Sequence, residues 1–265
     1  MTISLVQGLL LALVGFICAL DAAFEAFYWF RPMVVSFFAG IALGNVSLGV
    51  ACGAVAELSY LGLLTVGGTV PPDPLMAGMM TTVIAYTTGC GAETALGLSL
   101  PFALLAQWAG IIFNTLYAFV AHKCDEKAAA ADREGFRRVV FTALFFRAAC
   151  TSLLVFLCTF ALQNPIQAFV SSFPEFLIHG FEVAGGMLPA VGLGLLLMVT
   201  LKGENLPYLF LGFIMATFLE MPNVLPIAIT GACLAAINYT HEKKAGELEA
   251  KLANATVNGG EEDGI

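Results

Sequence analysis

Charge is scarce in this sequence. Only 11% of its 265 residues are Asp, Glu, Lys or Arg, 59% are hydrophobic, and mean hydropathy is +0.89. Soluble domains carry about 25% charged residues, so the composition excludes one and indicates an integral membrane protein. At about 20 residues per crossing, the length accommodates roughly six to nine hydrophobic segments. A net charge of −8 gives no basis for nucleic-acid binding. Patterns for metals and nucleotides are missing: there is no H-E-x-x-H, no Cys/His cluster and no glycine loop ending in Gly-Lys-Ser/Thr. No metal and no cofactor is expected. The seven cysteines are scattered without a CxxC pair and read as small hydrophobes in helices. The apolar N-terminus lacks a basic leader and an A-x-A site, so it reads as a retained helix.

What the chain does have is an interrupted apolar run. Residues 57–78 carry Glu57, then Gly67-Gly68, then Pro71-Pro72-Asp73-Pro74, before the chain turns apolar again. Helix cannot continue through these prolines, which lack an N–H and clash with the preceding turn. Broken backbone at membrane depth survives only where it is buried in protein or lines a cavity, and in transporters such breaks mark the substrate site. The other reading of the stretch is a turn at the membrane surface.

The first 121 residues hold five acids, Asp21, Glu25, Glu57, Asp73 and Glu93, and one base, Arg31. Each charge at mid-bilayer costs about 2.5–3.5 kcal/mol, so these acids must face water, a partner or a ligand. Glu57 lies deepest in an apolar run and reads either as a ligand for a polar substrate or as a cap on a neighbouring helix end. Asp73 before Pro74 reads equally as a helix N-cap or a ligand contact. Arg31 is expected to pair with Asp21 or Glu25, and Asn45 marks a turn or a polar contact. His179, next to a Pro-bounded segment, reads as a plain polar contact, and Glu182 is left open.

The expected fold is an all-α polytopic membrane protein, with transmembrane helices plus re-entrant or broken half-helices. Residues 1–121 form an N-terminal membrane half. Within it, 3–20 is a helix, 33–56 is an apolar stretch with Gly40-xxx-Gly44 and Gly49-xxx-Gly53 for close helix contact, and 75–88 is a half-helix or re-entrant hairpin. Cys90–Glu93 is a turn, and 95–121 is a long helix. Residues 122–138 hold five of the eleven Lys and Arg and read as a cytoplasmic basic linker. The C-terminal membrane half, 139–239, contains a helix at 139–162 carrying Arg147, an interfacial amphipathic segment at 164–180, a span at 181–201, and short apolar runs at 206–219 and 224–239. The tail from 240 is polar and cytoplasmic, with helix extending through 241–252.

Several of these motifs occur together in one known family. Arg31-Pro32, Gly53-x-x-x-Glu57, Gly62, Gly67 and Val-Pro-Pro-Asp-Pro at 70–74 resemble the IIC membrane subunit of the mannose/fructose/sorbose family of bacterial sugar phosphotransferase systems. So do His179-Gly-Phe-Glu-Val-Ala-Gly-Gly186 and Tyr208-Leu-x-x-Gly212-Phe. The resemblance covers about residues 3–240. Leu20-Asp21, Met76-Ala-Gly-x-Met80-Thr-Thr-Val-Ile-Ala and the acidic tail are most similar to the N-acetylgalactosamine/galactosamine branch. The resemblance implies a subunit of the bacterial inner membrane that pairs with a second membrane subunit, IID, in a trimer of IIC–IID pairs. It implies elevator-type movement of an amino sugar, N-acetylgalactosamine, to a cytoplasmic IIB subunit fed by IIA. Phosphoryl transfer then falls to IIB, so this chain is not an enzyme by itself. In mannose-specific members Thr65 is replaced by Asn and Asn45 by Asp, so mannose contacts do not carry over at those positions.

The chemistry of the residues suits a sugar. Its hydroxyls call for acceptors such as Glu57 and Asp73, neutral groups such as Thr65 and Thr69, and freed backbone at Gly67 and Gly68. Tyr60 or Trp29 is suited to cover an apolar ring face. The candidate substrate-binding residues are therefore Glu57, Thr65, Gly67, Gly68, Thr69 and Asp73, with Asp21 and Asn45. An ion-coupled secondary sugar transporter shares the broken helix and intramembrane acids and is the alternative. An intramembrane enzyme with Glu57 and Asp73 as acid and base lacks an oriented nucleophile.

Overall fold

The computed structural model describes residues 2–61, 63, 71–161, 174–218 and 225–258. Every regular element among them is helical. They are α1 (Leu5–Phe24), α2 (Pro32–Leu43), α3 (Val46–Tyr60), α4 (Pro74–Thr88), α5 (Ala92–Ala129), α6 (Arg133–Phe156), α7 (Glu175–Thr200), α8 (Leu206–Phe218) and α9 (Leu225–Asn258). A π turn at Leu157–Ala161 extends α6, and a 3₁₀ turn at Gly203–Asn205 precedes α8. Among the described residues four helical segments are long and apolar enough to cross a membrane: Leu5–Phe24, Ala92–Ala129, Arg133–Ala161 and Val183–Thr200. The chain divides into two compact units, Met1–Val199 and Thr200–Ile265.

In the first unit the core forms around α4, a helix of only 15 residues with 12 of them buried. A helix apolar all round belongs inside a bundle. Here α2, α3 and α5 pack on α4, while α1 packs on α6. Met76, Met79, Met80 and Ile84 of α4 meet Val35 and Ala39 of α2, Cys52 of α3, and Ala95 and Leu98 of α5 in one continuous core. Its polar side chains are satisfied at close range. Thr81 and Thr82 donate to the carbonyls of Ala77 and Gly78, at 2.7 and 3.1 Å, and Ser36 of α2 donates to Gly78 O at 2.9 Å. Glycine permits these crossings. A methyl group at Gly78 would stand 2.7 Å from Pro32 O, and one at Gly49 would stand 2.8 Å from Gly40 Cα.

The apolar stretch 33–56 is two helices rather than one. Gly44 takes a left-handed conformation (φ 77°) that closes α2, and Asn45 caps α3 by accepting from Leu48 N at 3.1 Å. Of the four small residues at helical spacing, Gly40, Gly49 and Gly53 are close-contact positions, while Gly44 is a helix terminator with nothing within reach of its would-be Cβ.

The basic stretch 122–138 is helical on both sides of a short turn. α5 runs on to Ala129, the left-handed Ala131 (φ 55°) turns the chain, and Asp132 caps α6 by accepting from Gly135 N at 2.8 Å. Its alanines, lysine and glutamate are strong helix formers in water. Asp132 also pairs with Lys127, and these partners hold its carboxyl below the usual carboxylate range. Residues 162–173, most of the expected interfacial segment, lie outside the described residues, and 175–180 form the start of α7. In the second unit, α8 and α9 enclose a groove of about 400 Å³ lined by Tyr208, Leu211, Met215, Ile227, Leu234 and Asn238. The helix expected over 241–252 is present as the continuation of α9.

Candidate functional site

The interrupted run places the end of α3, the start of α4 and the start of α2 around one polar region. Glu57, near the end of α3, accepts from Arg31 Nε at 2.8 Å and from Arg31 Nη2 at 2.5 Å through one carboxylate oxygen. Its other oxygen accepts from Met33 N at 3.2 Å, one of the orphan amides at the start of α2. Glu57 therefore caps a neighbouring helix and pairs with the sole base of the first 121 residues. Both side chains keep some exposure, 26% for Arg31 and 19% for Glu57, so the pair borders accessible space.

This corrects the expected partner of Arg31, which is neither Asp21 nor Glu25. The reason lies in how α1 ends. Asp21 is buried and accepts from Phe27 N at 2.9 Å and Trp29 N at 2.6 Å. Glu25 is the left-handed C-cap of α1 (φ 49°), and Tyr28 is left-handed as well (φ 56°). Such conformations cost about 1–2 kcal/mol each for non-glycine residues, and the two charge-assisted bonds to Asp21 offset that cost. With both oxygens of Asp21 committed to this loop, Arg31 at its end turns to Glu57. Asp21 thus positions Arg31 through the loop rather than pairing with it.

Asp73 caps α4, accepting from Met76 N at 2.7 Å, with Pro74 at the first helical position. Its own N–H donates to Ala103 O on α5 at 3.1 Å, two residues past Pro101. That bond fastens the end of the break to α5. Asp73 also lies within electrostatic reach of Tyr60 and Arg147. Tyr60 is 3% exposed, and its hydroxyl has no hydrogen-bond partner, the one such buried side-chain group among the described residues. A buried hydroxyl without a partner costs about 1–3 kcal/mol. An unused donor and acceptor therefore stands buried at the end of α3, where the break begins. The sequence placed Tyr60 there as an apolar cover, but nothing in its residue pattern marks the hydroxyl as unpaired.

Of the other candidates, Thr65, Gly67, Gly68 and Thr69 lie outside the described residues. Asn45 sits at the α2–α3 turn as an N-cap. The structure thus gathers Glu57 with Arg31, and Tyr60 with Asp73, at the two ends of the break, while Asp21 and Asn45 serve flanking turns. No group of three or more His, Cys, Asp or Glu suited to a metal occurs among the described residues.

α7 approaches the ends of α3 and α5 through its glycines. A methyl group at Gly185 would overlap the Glu93 carbonyl oxygen, and one at Gly186 would meet Glu93 Oε2 at 3.3 Å. A methyl group at Gly192 would stand 2.7 Å from the Ser59 carbonyl oxygen. The Gly185-Gly186 pair therefore seats α7 against the first turn of α5, and Gly192 seats it against the last turn of α3. His179 is exposed on the same helix.

Comparison with known proteins agrees with this architecture. The family described as "PTS system sorbose-specific IIC component" matches residues 5–237. The N-acetylgalactosamine permease IIC component 1 of Escherichia coli (strain K12) is 43% identical over 241 residues, 91% of this chain and 90% of the relative. The fructose permease IIC component of Bacillus subtilis (strain 168) is 26% identical over 236 residues, covering 88% and 86% of the two chains. A solved "Structure of membrane protein" superposes with a TM-score of 0.80 at 23% identity, covering 90% of this chain and 96% of that one. The mannose transporter ManYZ in complex with microcin E492 gives 0.57 at 23% identity, covering 91% and 97%.

Proposed function

The chain belongs to the sorbose-type IIC family of phosphotransferase-system membrane components, and from that premise we propose that it carries an amino sugar, N-acetylgalactosamine, inward for phosphorylation by a IIB subunit. Its likeness to an N-acetylgalactosamine permease component over nine-tenths of both chains supports the choice of sugar. The observation that carries the site is the set of polar groups around the α3–α4 break: the partly exposed Arg31–Glu57 pair, and the buried, unpartnered Tyr60 hydroxyl at the end of α3. Sugar hydroxyls are both donors and acceptors. Glu57 accepts from one, Arg31 donates to another, and the Tyr60 hydroxyl gains the partner that the fold withholds. Thr65, Gly67, Gly68 and Thr69, which lie outside the described residues, are the further sugar contacts we propose.

The buried α4 and its neighbours move together with the sugar in an elevator-type shift, with a IID subunit as partner in a trimer of IIC–IID pairs. Phosphoryl transfer falls to IIB, supplied by IIA, and this chain contributes no catalytic group. The test is phosphoenolpyruvate-dependent phosphorylation of a sugar panel by membranes containing the chain with its partners. Preferential formation of N-acetylgalactosamine phosphate is expected. Accumulation of unmodified sugar that stops when the proton gradient collapses would establish the ion-coupled alternative instead.

A further inference from the structure

The α5–α6 hairpin encloses a groove whose lining residues are distinct from those of the break. Phe113, Leu116, Tyr117 and Val120 of α5 face Val139, Thr142, Ala143 and Phe146 of α6 across an open groove of about 400 Å³. Phe113 and Phe146 meet edge to face at 6.3 Å, and the Tyr117 hydroxyl donates to Ala143 O at 3.1 Å, which sets the helix spacing. Two cations, Lys123 and Arg138, line the groove at the end nearest the turn.

Those cations differ from Lys127 and Arg137 in the same hairpin. Lys127 pairs with Asp132, and Arg137 pairs with Glu134. The side chains of Lys123 and Arg138 make no ion pair or hydrogen bond among the described residues, and Arg138 feels Asp132 only at longer range. They are level with one another. Lys123 stands seven residues before Ala130 and Arg138 six after Asp132, about 10 and 9 Å of helix at 1.5 Å per residue. The depth of the groove fits as well. From Phe113 to Lys123 is ten residues, about 15 Å of helix, and one leaflet of a hydrocarbon core about 30 Å thick is the same. The turn beyond the two cations carries Asp125, Glu126, Asp132, Arg133 and Glu134, a composition for water.

We propose that this groove binds an anionic glycerophospholipid, its phosphate held between Lys123 and Arg138 and an acyl chain laid along the Phe113–Val120 face. Basic pockets between membrane helices recognise such headgroups, and a zwitterionic lipid brings a like charge that offsets the attraction. The site does not depend on which sugar is carried.

The probe is phosphatidylglycerol. The full chain, co-expressed with its membrane partner, is reconstituted in phosphatidylcholine nanodiscs containing a minority of phosphatidylglycerol, then released and weighed by native mass spectrometry. The wild type is expected to retain phosphatidylglycerol in preference to phosphatidylcholine. Each of Lys123→Gln and Arg138→Gln is expected to weaken that retention roughly five-fold, and the double variant roughly 25-fold. Lys127→Gln and Arg137→Gln, at positions already paired, change it by less than about two-fold, and Lys123→Arg restores it. Equal retention of the two lipids by the wild type would overturn the proposal, as would undiminished phosphatidylglycerol on the double variant. So would a photocrosslinker at Val120 that captures a protein subunit rather than lipid.

Discussion

Two places in the first unit interrupt an apolar run, and they differ in what they leave over. At the α2–α3 turn, Gly44 and Asn45 end one helix and start the next, and Gly40 lies directly on Gly49. No buried polar side chain there lacks a partner among the described residues. At the α3–α4 break, the ends of α2, α3 and α4 carry Arg31, Glu57, Tyr60 and Asp73. One ion pair remains partly exposed, and one buried hydroxyl has no partner. Among the described residues the first interruption leaves no buried side-chain group unused, and the second leaves one. A break in a membrane helix becomes a candidate site through its unspent hydrogen-bonding groups, not through the break alone.

The contrast can be broken at its closed end first. Gly49→Leu pushes a side chain into the Gly40 and Ser36 backbones. Overpacking of this kind costs about 1–3 kcal/mol or more, so loss of folded, detergent-stable protein in size-exclusion profiles is expected. At the open end, Glu57→Gln weakens the pair with Arg31 while keeping shape. Sugar affinity of the reconstituted complex is expected to fall about ten-fold or more, equivalent to about 1.4 kcal/mol. The melting temperature drops too, since α2 loses part of its cap. Unchanged sugar binding in Glu57→Gln would remove that residue from the site.

Tyr60→Phe separates the two roles most sharply. Deleting a hydroxyl with no partner removes an unsatisfied buried group, so the sugar-free protein should melt no lower than wild type. Sugar binding should weaken by roughly three- to ten-fold, the worth of about one hydrogen bond. A variant that melts lower and binds sugar normally would show that the hydroxyl serves the fold. The smallest effect belongs to Asn45→Ala, which deletes an N-cap worth about 1 kcal/mol. A modestly lower melting temperature with unaltered sugar affinity is expected, and a binding defect there would erase the distinction between the two interruptions.

Much of this arrangement was legible in the residues. The prolines at 71, 72 and 74 locate the break, and Asp73-Pro74 announces the start of α4. Helical spacing of glycines announced close contacts at Gly40, Gly49 and Gly53. The division of 33–56 was only half visible, because a Gly-Asn pair reads equally as a turn or as polar decoration on a continuous helix. The helical hairpin at 122–138 was hidden by its charge, which marks exposure to water but says nothing of backbone conformation. The likeness of the chain to sugar permease components rests on motifs the sequence displays directly.

The sequence alone determined the membrane class, the absence of a helix through 71–74 and the scarcity of charge near it. These are local properties: hydropathy, ring closure at proline and the cost of an ion in hydrocarbon each act residue by residue. Only the tertiary structure decided that Glu57 meets Arg31 rather than leaving it to Asp21, that the Tyr60 hydroxyl is buried without a partner, and that Gly185 makes room for Glu93. Such pairings depend on where helices distant in sequence cross and how closely their backbones approach. Periodicity along one helix records which face is apolar, but not which atoms of another helix will stand against it.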